Sequence, residues 1–192
     1  MKEKSVIRIA WGWFGRHVMG VILCFLLSFA LTALTNSTPL LVLIGILSLL
    51  LYGSIIGSPA WQQGNRDLNK VKFKRREQDL LRGFKIGMVA SVPMFVLAIG
   101  LLLAKAELLP NFYIIYKLVN GEMLAFIGLI DGAFRGVQSA YLTMVSWPQV
   151  IGVCLLNFIP PVIWEVYYLL GYKDIVIAEK VIYKNQKKTP KA

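Results

Sequence analysis

Charge is scarce in this chain, and acid scarcer still. Only 16% of its 192 residues are charged, where a soluble domain carries roughly a quarter. Ten acids face 21 lysines and arginines. The chain has one histidine, His17, and two cysteines. A lone histidine does not make a metal site, and its place beside Arg16 suits anchoring at a membrane interface. Cys24 and Cys154 each fall deep inside an apolar run, unlike the spaced cysteines of a disulfide framework, and behave as small buried hydrophobes. There is no H-E-x-x-H, no serine in a glycine elbow, no carboxylate cluster and no phosphate loop. Gly64-Asn65-Arg66-Asp67 is turn chemistry. These absences leave no catalytic residue, metal or cofactor to assign.

What the chain has instead is apolar sequence in long runs. Hydrophobic residues make up 57%, with a mean hydropathy of +0.63. A hydrocarbon core about 30 Å thick needs roughly 20 helical residues to cross it. Four runs qualify, near Val18–Leu34, Leu40–Ile56, Ile86–Ala104 and Val150–Leu170. Little apolar sequence remains for a separate soluble core, so residues 1–192 form one all-α membrane domain. The basic, aromatic arm before the first run is that of a retained signal anchor rather than a cleaved signal peptide, because the run is long and lacks a small-x-small site. Ser37 or Thr38 caps the second span, with Pro39 in its first turn; the sequon at Asn36 lies too close to the bilayer for glycosylation.

Local breaks mark the spans. Pro93 predicts a kink in the third, with Ser91 placed to satisfy freed backbone groups. Pro160-Pro161 interrupts the fourth, which also carries Asn157 and Glu165. Gly45, Gly53 and Gly57 recur at multiples of four on the second span, a spacing that admits a neighbouring helix closely. Gly128, Gly132 and Gly136 repeat at four, with Asp131 and Arg135 spaced for an i,i+4 pair. Residues 58–85 read as a basic loop, extended over Lys70–Lys74 where charged and apolar residues alternate. Residues 171–192 read as a basic tail with a small hairpin around Ala178-Glu179-Lys180.

The stretch from Phe112 to Ile130 is apolar enough to tempt a fifth span but contains Lys117, Asn120 and Glu122. A charge at a helix centre costs roughly 2.5–3.5 kcal/mol on insertion scales. An interfacial or re-entrant element between spans three and four is expected, with Glu122 and Asp131 flanking its apolar run. Basic residues stay cytoplasmic. The N-terminal arm holds four, residues 58–85 eight and the tail six, against three (Lys105, Lys117, Arg135) on the other side. Four spans with both termini inside follow; a fifth would export the tail.

The basic segments lack interleaved stacking aromatics, and topology explains them, so the expected partners are the bilayer and anionic head groups rather than nucleic acid. An ionisable residue in a span is a functional hypothesis by default. Glu165 beside the proline break could hold a cation or a proton, or could pair with Arg82, Lys85 or Lys173; Asn157 suits an interhelical hydrogen bond. The binding candidates are Glu165, Asn157, Pro160, Pro161, Glu122 and Asp131. The expectation is a multi-pass cell-membrane protein that serves as a non-enzymatic accessory or assembly subunit, docking on a membrane partner or a second copy through its glycine faces. A small oligomeric transporter or channel using Glu165 and the Pro160-Pro161 break is the alternative, and a lipid-modifying membrane enzyme the next.

Overall fold

The structure, a computed structural model, describes residues 5–32, 34, 37–75, 77–132 and 142–175. Gly136, Arg135 and the tail hairpin lie outside the described residues. Among the described residues every regular element is helical, without a sheet. Three helices are long and apolar enough to cross a membrane, or up to five if two bent pairs each count as one span.

Helix α1 runs Val6–Thr32 and α2 Thr38–Lys72. Both outrun the apolar segments that announced them. In α1 the buried residues Ile9, Ala10, Trp13, His17, Gly20, Val21, Cys24 and Ser28 recur at three and four, the period of one helical face, so the arm from Val6 to Arg16 is the first part of the same helix. Ser37, with extended backbone, precedes α2, and Pro39 sits in its first turn. At 1.5 Å per residue the 35 residues of α2 extend about 52 Å.

The expected loop at 58–85 is therefore corrected. Residues to Lys72 are helical, including Lys70 and the supposed turn Gly64–Asp67. Ile56, Ala60, Gln63, Gly64 and Asp67 continue the buried face, and this stripe packs on the C-terminal helix. Local alternation at Lys70–Lys74 lost to that packing, for an extended segment would have no strand to pair with.

Helices α3 (Arg82–Ala90) and α4 (Val92–Lys105) form one pair bent by 57°. The kink falls at Ser91, two residues before Pro93, because the proline ring obstructs the carbonyl four residues earlier and cannot donate to it. Helix α5 (Tyr113–Val119) and α6 (Leu124–Ile130) flank a 3₁₀ turn, Gly121–Met123, with a bend of 91°. Helix α7 (Trp147–Leu155) passes through a 3₁₀ turn, Leu156–Phe158, into α8 (Ile159–Tyr172), whose first turn holds Pro160 and Pro161.

The α2–α8 crossing brings backbones into contact. A Cβ at Gly64 would strike the Tyr168 carbonyl, and one at Gly171 the Trp61 carbonyl. Nearby, Trp61 Nε1 donates to the Ile175 carbonyl at 2.9 Å and Asn65 Nδ2 to Asp174 at 2.8 Å. Asp67 is the hub at this end. It pairs with Arg82 Nε at 3.0 Å, accepts from Gln63 Nε2 at 3.1 Å and Tyr168 Oη at 3.3 Å, and lies 3.5 Å from Lys70 Nζ. One carboxylate thus ties the end of α2 to the start of α3 and the end of α8.

The surface inverts the soluble pattern. Met19, Ile22, Leu26 and Phe29 of α1, Leu43, Ile46 and Leu50 of α2, Val92, Val96 and Ile99 of α4, and Ile151, Leu155, Val162 and Val166 farther on are all exposed. His17, Ser28, Ser48, Ser91, Lys117, Asn120, Glu122 and Asn157 are all buried. A soluble monomer rarely exposes an apolar patch beyond a few hundred Å²; hydrocarbon is the solvent this surface suits.

Candidate functional site

Three helix interruptions meet at Asn157. It lies in the 3₁₀ turn ahead of the two prolines, where the regular ladder lapses. Its Nδ2 donates to the Met94 carbonyl, just past the Ser91 break, at 3.3 Å, and to Tyr116 Oη at 3.1 Å. Tyr116 lies in α5, one turn before the third interruption. There Asn120 Nδ2 turns back to the Tyr116 carbonyl at 2.9 Å, and Tyr116 Oη donates to the Val153 carbonyl at 3.4 Å. One amide thereby links its own interrupted helix to the α4 backbone and to a side chain of α5.

The α5–α6 tip carries Glu122. Gly121 beside it lies so close to α1 that a Cβ would stand 2.5 Å from Phe25 Cβ and 2.8 Å from the Val21 carbonyl. Only glycine lets the tip seat there, and seating drives Glu122 into the interior, where it is 1% exposed and neither carboxyl oxygen bonds another of the described residues. Leaving a buried polar group unpartnered costs roughly 1–3 kcal/mol, more for a charged one. Glu122 is near enough to Tyr52, Cys24 and Tyr116 to act on each electrostatically.

On the α1–α2 face, His17 is fully buried, with Nδ1 2.6 Å from Tyr52 Oη, Nε2 unpartnered, and its ring edge-on to Trp164 at 6.0 Å. Cys24 donates to the Ser48 carbonyl at 3.2 Å, and Ser28 meets Ser48 at 2.7 Å. His17 is thus an interior group, not the interface anchor expected of it. Sequence reasoning missed this stripe, although His17, Gly20, Cys24 and Ser28 carry the helical spacing that could have revealed it.

The expected site residues are divided among three levels. Asn157 and Glu122 come together about Tyr116. Asp131 lies elsewhere: it pairs with buried Lys117 at 2.6 Å and accepts from Tyr113 Oη at 2.9 Å. The two ends of the α5–α6 element are thereby adjacent while its tip reaches α1. Glu122 is at that tip and not, as expected, at an end. Glu165 lies two turns beyond Asn157 at the α3–α8 contact, where Oε2 accepts the Phe84 N–H at 2.5 Å. Phe84 is in the first turn of α3, so a carboxylate from another helix satisfies one of the donors that every helix start leaves free. Among the described residues Glu165 makes no ion pair; Arg82 and Lys85 bond Asp67 and Asp79 instead. Pro160 and Pro161 are buried, with Pro161 against Gly87.

The glycines also find neighbours within the chain. Gly45 faces the Phe126 ring, and Gly53 and Gly57 face Tyr167. Gly128 lies half-buried in α6, whereas Gly132 follows it with φ of 74° and open space around it.

Helices of this length and polarity, wrapped in an apolar surface, define an all-helical, polytopic membrane protein. No family model, curated protein or solved structure matches the chain.

Proposed function

We propose that this is a multi-pass cell-membrane transport protein whose translocation site is centred on Glu122, at the tip of the interrupted α5–α6 element. The single observation that carries the proposal is a completely buried carboxyl with neither oxygen hydrogen-bonded to another of the described residues. Such a group in a membrane interior is costly, and in transporters it accompanies discontinuous helices at the ion site. The chain crosses four times in this reading, with both termini cytoplasmic and the α5–α6 element re-entrant. Its support is the Asp131 carboxylate beside Tyr113 and Lys117, which returns the element to its starting end. Lipid covers the apolar belt, and the exposed basic residues Lys72, Lys74 and Arg75 face anionic head groups.

An accessory subunit docking through Gly45, Gly53 and Gly57 loses its main support, because Phe126 and Tyr167 occupy those faces. Glu165 is likewise engaged as a helix cap. The test is reconstitution into phosphatidylcholine vesicles carrying proton, sodium or potassium gradients, followed by fluorescent dyes. The wild type dissipates one of these gradients, while Glu122→Gln behaves as empty vesicles do. Equal flux from both proteins rejects Glu122 as the site.

A further inference from the structure

We infer that the ion handled at Glu122 is the proton, and that Tyr52 and His17 form the relay that delivers it. This rests on the reading of Glu122 as an ion-binding carboxyl and goes on to name the ion and its route.

The chemistry around Glu122 favours a proton over a metal cation. A hard cation needs several oxygen acceptors gathered about it. Among the described residues, the side chains on which Glu122 acts electrostatically include the Tyr52 and Tyr116 hydroxyls and the Cys24 thiol, groups that carry exchangeable hydrogen. A proton needs one carboxyl oxygen and no coordination shell.

The route follows from the order of groups along α1. The Glu122 tip seats at Val21–Phe25, and His17 lies one to two turns closer to the end that begins at Val6. Tyr52 spans the interval: its ring packs at Gly20, its hydroxyl meets His17 Nδ1 at 2.6 Å, and Glu122 and Cys24 are the titratable groups that act on it. Imidazole suits a relay because its two nitrogens can accept on one side and donate on the other. Nε2 is fully buried and unpartnered, on the side opposite the Tyr52 bond. Trp164 of α8 closes the pocket edge-on to the ring.

In the transfer, the Tyr52 hydroxyl gives its proton to a Glu122 carboxylate oxygen as that side chain rotates toward it. Tyr52 recovers a proton from His17 Nδ1, and the imidazole takes one at Nε2 from hydronium admitted along the Val6 end of α1, leaving water. One proton moves in total, Tyr52 ends as it began, and His17 has exchanged tautomers until its ring turns or the proton returns. Nothing is oxidised or reduced.

Infrared difference spectroscopy of the full chain in phosphatidylcholine nanodiscs tests the relay. The carboxylic C=O band that disappears in Glu122→Gln identifies the protonated acid, and its isotope shift on transfer to deuterium oxide times proton exchange. Tyr52→Phe and, as a second variant should the first fail to fold, His17→Gln retain the band but slow its exchange on the order of 10²-fold, the scale of a lost proton-transfer group. Ser28→Ala, a change on the same face of α1 but beyond the Glu122 tip, leaves the rate unaltered. Unchanged exchange in the Tyr52 and His17 variants overturns the relay while leaving Glu122 as the site. Equal slowing in Ser28→Ala overturns it as well, by assigning the effect to packing. No Glu122-dependent band at any pH removes the underlying site, and the relay with it.

Discussion

Replacing Asp67 with alanine tests the clasp that holds one end of the bundle. Asp67 is 1% exposed and Arg82 5%, so truncation leaves a buried guanidinium without this carboxylate. The 3.0 Å contact with Arg82 Nε is a buried ion pair and supplies the largest part of the loss, while the Gln63 and Tyr168 bonds add roughly 0.5–1.5 kcal/mol each. Lys70, 36% exposed and 3.5 Å away, belongs with surface pairs worth about 0–1 kcal/mol. The Tyr168 contact is long and the terms overlap, so the total falls within the range of about 3–5 kcal/mol for a broken buried ion pair. Reversible unfolding in mixed micelles with increasing dodecyl sulfate, followed by tryptophan fluorescence, measures it. The pair Asp67→Leu with Arg82→Met replaces both charges by apolar groups and is expected to be more stable than Asp67→Ala alone. A loss below about 1 kcal/mol for Asp67→Ala, against the scale for a buried pair, would falsify the clasp; so would a double variant no better than the single.

Three further outcomes follow. Glu165→Gln keeps an acceptor for the Phe84 N–H, so flux is retained and stability nearly so, whereas Glu165→Ala costs about 0.5–2 kcal/mol, as helix caps do; loss of flux in Glu165→Gln returns that residue to the site. Gly64→Ala and Gly171→Ala each press a methyl against a facing carbonyl and destabilise by at least about 1–3 kcal/mol, the range for overpacking. Wild-type unfolding midpoints in both would reject the backbone contact. Cysteines introduced at Asn111 and Ser146, both exposed, are modified by an impermeant maleimide from one side and an introduced cysteine at Gln62 from the other; Asn111 and Ser146 reacting from opposite sides would make α5–α6 a fifth crossing.

The parts of this fold that sequence disclosed are those decided locally. Pro93 and Pro160-Pro161 carry their own steric consequences, and the structure breaks beside both, with the offset that the proline ring imposes on preceding residues. The small-residue spacing of Gly45, Gly53 and Gly57 announced close packing, but the rings they receive come from distant elements, which no local pattern encodes. The helix through Gly64–Asp67 is a similar case. Its composition is that of a turn, and only docking on Gly171 and pairing with Arg82 make it the end of a long helix. His17 was overlooked because a single histidine beside an arginine resembles an anchor; its meaning lies in the face it shares with Gly20, Cys24 and Ser28.

The α5–α6 element shows how a cost read from sequence changes once the chain is folded. Sequence argued against a fifth span from the split of basic residues and from the cost of placing Lys117, Asn120 and Glu122 in lipid. All three are buried in protein instead, where pairing and hydrogen bonding change that cost. Lys117 has Asp131 and Asn120 has the Tyr116 carbonyl, so neither charge nor amide forbids a crossing. What speaks for re-entrance is geometric: the element's first and last turns share one ion pair and one hydroxyl bond, and its glycine tip reaches α1. Glu122, bonded to no other described residue, is then the one of the three for which neighbouring side chains offer no compensation. The cost that sequence assigned to lipid exposure persists inside the protein at this one carboxyl, and there a function has to account for it.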